Sequence, residues 1–542
     1  MKLVNFLKVN QNNFINIFTI LLVGLFLRLY YLFKKTGNIF QANLGGDSCY
    51  HYNVALNISQ GIGPKTSFIF SYWFPHKSIP AVTDLYGPGY HYFLSIFLLI
   101  KDEFISLRIS SLLVGMCSIL LAYFIGKKIH STLLGYLSAL IICFNFFHIE
   151  NSAVVMRENF NLLLVQLFFL NLFYLNKNKL YFALIGFIIG YSAMTSGIWI
   201  ILSIILIFYI IVNFEIKKIN IFFNIFIALI FFLITIFPWA KISLDYFGKI
   251  LFSYTSYYPY INDWGLMMSE RGLPNVSNFW NEIDIFKYIK THFYWGITNL
   301  YKFCLMLFPT FIFPVSFILI PLILIGSYKL KSNGYLLLLF TILYFLALLF
   351  GSYGMKGVLW PRHFMPFLAS TSILMAYGFI FIYYKLIKLN FIKKYLTLFK
   401  NLKFYKILYV LPIFITLAGI EIKDSFWERD SSYFYKFGNK IEKYTNINET
   451  IMYANTVPDA WCVTKRKIVQ DPAFYKKNTS NRILEEVRRF DVDYLLVDVS
   501  DQIYQRGKDI DAAIKFYNQL ELEEIFSDEK NGYHFYKIAN KH

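Results

Sequence analysis

The sequence predicts a polytopic α-helical membrane protein with an α/β domain at its C-terminal end. Of its 542 residues, 57% are hydrophobic and only 16% are charged, whereas an ordinary soluble domain carries about 25% charged residues. About eleven apolar runs are long enough, or nearly so, to cross a bilayer, which takes about 20 residues. The third observation is the placement of the charge, which separates the apolar part of the chain from its tail.

The formal net charge of +19 is unevenly distributed. Residues 422–542 hold 19 Lys and Arg against 20 Asp and Glu, and residues 1–421 hold the remaining 33 and 13. Membrane proteins collect Lys and Arg in short cytoplasmic loops because these residues are hard to translocate. The charge, together with 59 Phe and 42 Tyr, therefore indicates a membrane topology and argues against a nucleic-acid binder.

The apolar runs predict eleven membrane spans. These lie near 14–33, 104–126, 131–149, 155–175, 180–195, 197–214, 219–239, 301–327, 334–351, 361–384 and 404–421. The run at 87–100 has the length of an interfacial helix and is placed outside the bilayer core. If the N-terminus is cytoplasmic, about 17 basic residues and one acid, Glu215, fall inside. The positive-inside rule thus predicts a multi-pass plasma-membrane protein with a cytoplasmic N-terminus and an extracytoplasmic tail.

Two domains are predicted. Residues 1–421 form a transmembrane domain with outer loops at 34–103 and 240–300, and residues 422–542 form a soluble extracytoplasmic α/β domain. The tail has apolar strands near 450–454, 467–470 and 493–498, helical patterns near 479–490 and 507–519, and a hairpin of strands near 523–527 and 533–538. The five cysteines are scattered and odd in number, so they predict no disulfide framework.

The first candidate for chemistry is Asp47. Gly45 and Gly46 allow a tight turn that presents its carboxylate just above the bilayer, and Tyr50 and His51 follow it. An acid beside a membrane is a functional candidate because its desolvation is costly. Asp is also a good N-cap when it precedes a helical stretch. The residues leave both interpretations open.

The second candidate is the pair Arg157 and Glu158, at the outer start of the fourth span. Charged side chains where a helix enters lipid suggest function, although a boundary pair that anchors the helix end explains them equally well. Adjacent residues on a helix point in different directions, so the two need not pair with each other. Glu150, one span-end earlier, is interpreted as a plain loop acid.

The third candidate is Arg362 with His363, at the outer mouth of the tenth span. Pro361 before them suits the first turn of a helix. The planar fork of Arg fits phosphate oxygens, so Arg362 and Arg108 at the outer face predict a phosphate clamp. The alternative for such residues is snorkelling to lipid headgroups, which we favour for Arg28.

Glu282, the histidines and the catalytic sequence motifs give weaker indications of function. Glu282 lies in the second outer loop, where a solvated loop charge is the other interpretation. The histidines show no metal-ligand spacing, and we expect most of them at the membrane interface, for example His51, His76, His91 and His148. The sequence contains no Walker A loop, GxSxG or HExxH. No nucleotide cofactor is therefore expected, and serine or zinc hydrolysis has no support.

The order of these motifs resembles the GT-C superfamily of membrane glycosyltransferases across almost the whole chain. The segment 45–52 looks like the first acidic motif of that group, and Glu158 matches the second acidic position. Glu282 is similar to the loop glutamate of oligosaccharyltransferase catalytic subunits. Further segments that resemble elements of these enzymes are 86–90, 194–199, 362–366, 465–469 and 492–498.

The resemblance implies transfer of a sugar or oligosaccharide from a polyprenyl or dolichyl phosphate or diphosphate to a protein or glycan acceptor. Catalytic roles are expected for Asp47 and Glu158: a carboxylate such as Asp47 would hold or deprotonate the acceptor, and Arg362 would stabilise the leaving phosphate. Asp47, Glu158 and Glu282 could also hold Mg²⁺ or Mn²⁺, which prefer oxygen ligands. Substrate-binding roles are expected for Arg362, His363, Arg108, Arg157, Tyr50 and His51.

The sequence also departs from the family pattern. The Trp-Trp-Asp motif of oligosaccharyltransferases is missing, and residues 458–462 read Pro-Asp-Ala-Trp-Cys where it might stand. The short tail resembles protein O-mannosyltransferases and lipid A aminoarabinose transferases better. Two other classes remain open: a transporter or flippase of a lipid-linked sugar, which calls for polar residues deep within the spans, and a non-catalytic receptor built around the tail.

Overall fold

The computed structural model describes most of the chain. The described residues are 2–36, 38–41, 47–72, 74–175, 178–212, 221–260, 313–351, 361–387, 405–422, 432–453, 457–472, 480–498, 517–530 and 532–539, with short pieces between 272 and 294. Glu282 lies outside the described residues, so its metal-binding role stays a prediction.

Helices make up most of the described chain. In chain order they are α1 (Lys2–Lys35), α2 (Ser48–Ser59), α3 (Gly89–Ile100), α4 (Phe104–Ile129), α5 (Thr132–Phe144), α6 (Phe146–Ala153), α7 (Arg157–Leu172), α8 (Leu180–Ala193), α9 (Ile198–Val212), α10 (Ile221–Phe247), α11 (Phe313–Lys329), α12 (Lys331–Gly351), α13 (Leu368–Ile387), α14 (Tyr405–Ile422), α15 (Ser432–Tyr444), α16 (Val457–Thr464) and α17 (Ser480–Phe490). Short 3-10 helices lie at Tyr254–Tyr260 and Pro361–Phe367.

The helices account for the apolar runs of the sequence. A described helix overlaps each of the eleven predicted spans. Five described helices are long and apolar enough to cross a membrane, and the number is six if the bent pair α5–α6 forms one span. The chain is thus a multi-pass membrane protein, while the count of eleven stays a prediction. The run at 87–100 forms the 12-residue helix α3, which is shorter than a span.

The run predicted as the third span consists of two helices. α5 and α6 meet at a bend of 63°. Asn145 lies between them and caps α6, since its side-chain oxygen accepts a hydrogen bond from the backbone N–H of His148 at 2.9 Å. The bend brings α6 against α1.

This bend explains why one prediction for Arg28 was wrong. Arg28 is fully buried and does not snorkel to headgroups. Its guanidinium donates to the backbone oxygen of Gly24 at 2.8 Å and lies 2.5 Å from Nδ1 of His148. The position of Arg28 along α1 could not reveal a partner 120 residues away.

The prediction for Glu150 was wrong as well. Glu150, predicted as a plain loop acid, lies in α6, where it is buried and accepts a hydrogen bond from Tyr31 Oη at 2.9 Å. The histidines predicted at the interface are buried: His51, His76, His91 and His148. Polar side chains in these positions are held by partners that the folded chain brings from distant segments.

The tail contributes five strands to a six-stranded mixed sheet. The strands are β1 (Lys65–Thr66), β2 (Phe68–Ile69), β3 (Ala81–Val82), β4 (Thr450–Tyr453), β5 (Lys467–Gln470), β6 (Val492–Asp498), β7 (Leu522–Asp528) and β8 (Tyr533–Ile538), and the sheet order is β2-β5-β4-β6-β8-β7. Strands β2, β5, β4 and β6 run parallel, and β8 and β7 are antiparallel. The tail strands and α17 form where the sequence predicts them, whereas most of the predicted helix 507–519 lies outside the described residues.

The first outer loop and the tail are joined in two ways. Strand β2 of the loop pairs in parallel with β5 of the tail, with Phe68 opposite Ile468. Cys49 is disulfide-bonded to Cys462 across a sequence separation of 413. The spacing of the cysteines, which predicts no disulfide framework, therefore carries no sign of this single disulfide between distant segments. The division into domains at residue 421 stays a prediction.

Candidate active site

Asp47 is the residue before α2, yet its side chain does not cap that helix. The backbone oxygen of Asp47 accepts the first helical hydrogen bond, from the N–H of His51 at 2.9 Å. Its carboxylate faces two other groups: Oδ1 accepts a hydrogen bond from Tyr86 Oη at 3.2 Å, and Oδ2 lies 3.3 Å from Arg362 Nη2. Of the two interpretations open in the sequence, the N-cap is therefore excluded.

Glu158 lies in the first turn of α7 and is only 5% exposed. Its Oε1 atom is 3.9 Å from Arg362 Nε and 4.0 Å from His363 Nε2. Its other carboxylate oxygen, Oε2, is buried and has no hydrogen-bond partner among the described residues. A buried carboxylate oxygen without a donor is costly, so this atom is available for a ligand group or a cation.

Arg362 joins the two acids. It follows Pro361 at the start of the 3-10 helix that leads into α13, and Pro at such a first position supplies a fixed φ. Nη2 of the guanidinium lies 3.3 Å from Asp47 Oδ2 and Nε lies 3.9 Å from Glu158 Oε1, while Nη1 donates to Met156 Sδ at 3.7 Å. Three segments far apart in sequence thus meet at one planar fork, which can bind two anions at once.

Tyr86 is a site residue that the sequence reasoning did not single out. Besides its hydrogen bond to Asp47, its ring lies under the guanidinium of Arg157, with Cζ 3.8 Å from the ring centroid, a favourable cation–π geometry. Burial and the nearby charge of Asp47 raise the pKa of the Tyr86 hydroxyl, which therefore stays protonated as a donor. Only its membership of the Tyr-Gly-Pro-Gly-Tyr stretch at 86–90 hinted at this role.

The glycines beside Tyr86 fix its position. The backbone N–H of Gly89 donates to the oxygen of Met194 at 2.9 Å. A Cβ at Gly87 would lie 2.3 Å from the same Met194 oxygen, so only glycine permits this close approach. The stretch at 86–90 therefore docks on the end of α8, which holds Tyr86 between Asp47 and Arg157.

Tyr50 and His51 lie behind the acids. The Tyr50 hydroxyl bonds the Thr83 hydroxyl, and His51 Nδ1 lies 2.9 Å from His91 Nε2. Burial, then the charges of Arg157 and Arg362, lower the pKa of His51 well below its usual value. His91 is affected likewise, by burial and then by His51. The imidazole pair is therefore neutral at physiological pH, and the substrate-binding role of Tyr50 and His51 stays a prediction.

Arg108 occupies a different environment from Arg362. Its side chain is fully buried, and it donates to the backbone oxygens of Ala153 at 3.1 Å and Gln41 at 2.9 Å. The structure therefore brings together Asp47, Glu158, Arg157, Arg362 and His363, whereas it places Arg108 against the main chain at the end of α6. The phosphate-binding role of Arg108 stays a prediction.

The carboxylate oxygens of Asp47 and Glu158 are suitable ligands for a divalent cation such as Mg²⁺ or Mn²⁺. Within the described ranges, no group of three His, Cys, Asp or Glu side chains is placed so that it could hold a metal ion. Asp47 and Glu158 supply two oxygen-bearing groups on either side of Arg362. The third expected ligand, Glu282, falls in a part of the chain that the structure does not describe.

The comparisons with known proteins fit this architecture. Residues 86–240 match the family model described as dolichyl-phosphate-mannose-protein mannosyltransferase. No curated protein matches the sequence significantly.

Two solved structures share the fold over almost the whole chain. Apo ArnT from Cupriavidus metallidurans has a TM-score of 0.61 at 8% identity, with 96% of this chain and 97% of ArnT covered. The archaeal oligosaccharyltransferase AglB from Archaeoglobus fulgidus, in complex with an inhibitory peptide and a dolichol-phosphate, has a TM-score of 0.58 at 12% identity. In that case 96% of this chain and 74% of AglB are covered. The chain thus has the fold of GT-C membrane glycosyltransferases, and the resemblance seen in the sequence is confirmed.

We predict that Arg362→Met destabilises the protein and that Asp47→Asn partly reverses the loss. Without the guanidinium, the two carboxylates lose their shared cation, at a cost of about 1–3 kcal/mol. Neutralising Asp47 then removes one of the uncompensated charges. Thermal unfolding of Arg362→Met, Asp47→Asn and the double variant in detergent measures the coupling. Strict additivity of the two stability changes would contradict an interaction between Arg362 and Asp47. Arg362→Lys, which keeps the charge but not the planar fork, should have a stability between those of wild type and Arg362→Met.

A second prediction concerns pH. Because the folded state holds His51 and His91 neutral, the unfolded state binds more protons below the usual histidine pKa of about 6.5. Above about pH 6.5, the pair should therefore leave the free energy of unfolding unchanged. Below about pH 6.5, the free energy of unfolding should fall as the pH decreases, by up to about 2–3 kcal/mol at about pH 5.5. Unfolding curves recorded between pH 5 and 8 give the free energy of unfolding at each pH, for wild type and for His51→Gln/His91→Gln. If this free energy depends on pH equally in the two proteins, the pair is not held neutral.

Proposed function

We propose that this chain is a membrane glycosyltransferase. It transfers a sugar or oligosaccharide from a polyprenyl or dolichyl phosphate or diphosphate to a protein or glycan acceptor. The observation that carries the proposal is the cluster in which Arg362 lies between Asp47 and Glu158, in a chain with the GT-C fold. Such a cluster offers what lipid-linked sugar transfer needs: a carboxylate for the acceptor proton and a cation for the phosphate that leaves.

The comparisons support this substrate class. The matching family model is named for a mannosyltransferase that uses dolichyl phosphate mannose. The ArnT structure is also known with undecaprenyl phosphate bound, at a TM-score of 0.60 to this chain, and AglB with dolichol-phosphate and a peptide. A polyprenyl or dolichyl phosphate is therefore the donor carrier we propose here. The sugar and the identity of the acceptor stay open.

In the proposed reaction, Asp47 accepts the proton of the acceptor nucleophile as this group attacks the anomeric carbon. The bond from that carbon to the lipid phosphate breaks, and the negative charge that develops on the phosphate is stabilised by Arg362. Arg157 and His363, which lie next to the acids, add positive charge and hydrogen-bond donors. Glu158 holds Arg362 and His363 in orientation.

The resting geometry adds one step to this scheme. Arg362 Nη2 is already on Asp47 Oδ2 at 3.3 Å, so this carboxylate oxygen is occupied by the guanidinium. When a lipid phosphate binds, its oxygens compete with Asp47 for the same fork, which favours bidentate oxyanions. Donor binding therefore frees the Asp47 carboxylate for the acceptor and orders the two substrates.

We further propose that Asp47, Glu158 and Glu282 hold Mg²⁺ or Mn²⁺. The unpartnered Oε2 of Glu158 supports this assignment. A cation bound there would add positive charge for the phosphate.

The site is proposed to face the extracytoplasmic side, in a plasma-membrane protein with a cytoplasmic N-terminus. The loops predicted to lie inside are rich in Lys, which is the expected bias of cytoplasmic loops. A transporter or flippase of a lipid-linked sugar is not favoured. Asp47 lies just before a helix and Glu158 in the first turn of one, so the acids of the site sit at helix ends.

We predict that Asp47→Asn lowers the rate of sugar transfer by about 10²–10⁴-fold, the usual contribution of a positioned base. The variant keeps the volume of the side chain, so folding and lipid binding should persist. Purified protein supplied with a panel of polyprenyl-monophosphate and -diphosphate sugars measures the transfer. Asp102→Asn is the matched control, because Asp102 is an exposed acid of the same outer loop. Full activity of Asp47→Asn would refute its role as base.

Cation dependence is tested in the same assay. EDTA should abolish transfer, Mg²⁺ or Mn²⁺ should restore it, and Glu282→Gln should raise the concentration of Mn²⁺ that gives half-maximal activity. Transfer that is unchanged by EDTA would overturn the cation proposal. It would leave Arg362 as the positive charge at the leaving phosphate.

A further inference from the structure

The tail helix α16 is attached to the helix that follows Asp47. Cys49, in the first turn of α2, forms the disulfide with Cys462 of α16, with a Cα–Cα distance of 5.7 Å. Both cysteines are buried, at 0% and 4% exposure. The tail is therefore covalently joined to the chain two residues after the candidate base.

A second attachment lies one turn further along α2, and involves Trp461 of α16 and Lys465, the residue after α16. The rings of Tyr52 and Trp461 meet edge to face, with centroids 5.6 Å apart. Nζ of Lys465 lies 4.5 Å from the Tyr52 centroid and 4.1 Å from the Trp461 centroid. An ammonium between two rings is bound by cation–π attraction, which strengthens when the group is desolvated. We refer to Tyr52, Trp461 and Lys465 as the aromatic clamp.

The charge state of Lys465 suits this clamp. Burial lowers the pKa of its ammonium to about 8, with the charges of Glu442 and Asp102 acting in the opposite direction. The group is therefore mainly protonated at neutral pH, which cation–π binding requires.

The tail side of this interface is itself fixed. Arg466, next to Lys465, donates to Thr445 Oγ1 and to the backbone oxygen of Thr445, both at 2.9 Å. The following strand β5 pairs with β2 of the outer loop. Since α16 cannot move freely against its own domain, its two attachments restrain the first turns of α2.

On the site side, the restraint ends at Asp47. Ser48 Oγ donates to the backbone oxygen of Val155 at 3.3 Å, in the segment that leads to Glu158. The first turn of α2 thus lies between the tail and the segment that carries the second acid. A shift of α2 would change the distance between the two carboxylates and Arg362.

We propose that Cys462, Trp461 and Lys465 of the tail are positioning residues that hold Asp47 in place through α2. The proposal rests on the proposed transferase function. The disulfide and the aromatic clamp act on the same interface, so each is sufficient alone. Loss of either the disulfide or the Lys465 cation leaves α2 in place, whereas loss of both, with only the Tyr52–Trp461 ring contact left, lets its first turn move and misplaces the base, to which catalysis is sensitive at the level of about 1 Å.

The test compares four proteins: wild type, Cys49→Ser/Cys462→Ser, Lys465→Met and the triple variant. Lys465→Met removes the charge while keeping a long apolar side chain. We expect kcat for sugar transfer to stay within about threefold of wild type in the first two variants. In the triple variant we expect kcat to fall by at least about tenfold, on the scale of misplacement effects, with little change in KM for the lipid-linked donor.

A conservative rescue separates positioning from general damage. Lys465→Arg keeps the cation–π contact, so Cys49→Ser/Cys462→Ser/Lys465→Arg should retain a kcat near that of wild type. Rates are taken per folded protein, from the fraction that elutes as a single species and binds polyprenyl phosphate.

Two results would overturn the proposal, and they are distinguishable. If wild type transfers sugar and the triple variant keeps its kcat, the positioning role is wrong while the transferase function stands. If wild type transfers no sugar from any donor of the panel, the proposed function fails and the positioning role falls with it.

Discussion

The structure depends on one electrostatic arrangement: the guanidinium of Arg362 between the carboxylates of Asp47 and Glu158. Buried charges are stabilised by pairing, because desolvating a single unpaired charge is costly. The three side chains come from the residue before α2, the start of α7 and the 3-10 helix that precedes α13. Their pairing therefore requires the helices and the outer loop to assemble in one particular way.

Other contacts around the cluster serve the same geometry. Gly87 and Gly89 let the 86–90 stretch approach the end of α8, which sets Tyr86 against Asp47. On the opposite side, the tail reaches α2 through the shared sheet and the Cys49–Cys462 bond. Outer loop, membrane helices and tail each supply part of the support for one carboxylate, so a change far from Asp47 can alter its position.

The sequence predicted the parts of this arrangement that depend on residue type and local pattern. Asp47, Glu158 and Arg362 stood out because charged residues at the ends of apolar runs are costly, and the strands of the tail followed from their alternation. Arg28 and Glu150 were misjudged because their partners are more than a hundred residues away. Tyr86 and the Cys49–Cys462 pair were not identified, since their contacts exist only once distant segments have folded together.

In the proposed reaction, Arg362 exchanges the carboxylate of Asp47 for the phosphate of the lipid. The most direct measurement is the Kd of polyprenyl phosphate, the carrier without its sugar, for wild type, Arg362→Met and Asp47→Asn. With EDTA present, we expect Arg362→Met to weaken binding by about tenfold or more, equivalent to about 1.4 kcal/mol. Under the same conditions Asp47→Asn should bind at least as tightly as wild type, because the competing carboxylate is gone and no cation held by Asp47 contributes. Unchanged binding by Arg362→Met, or weaker binding by Asp47→Asn, would contradict this exchange.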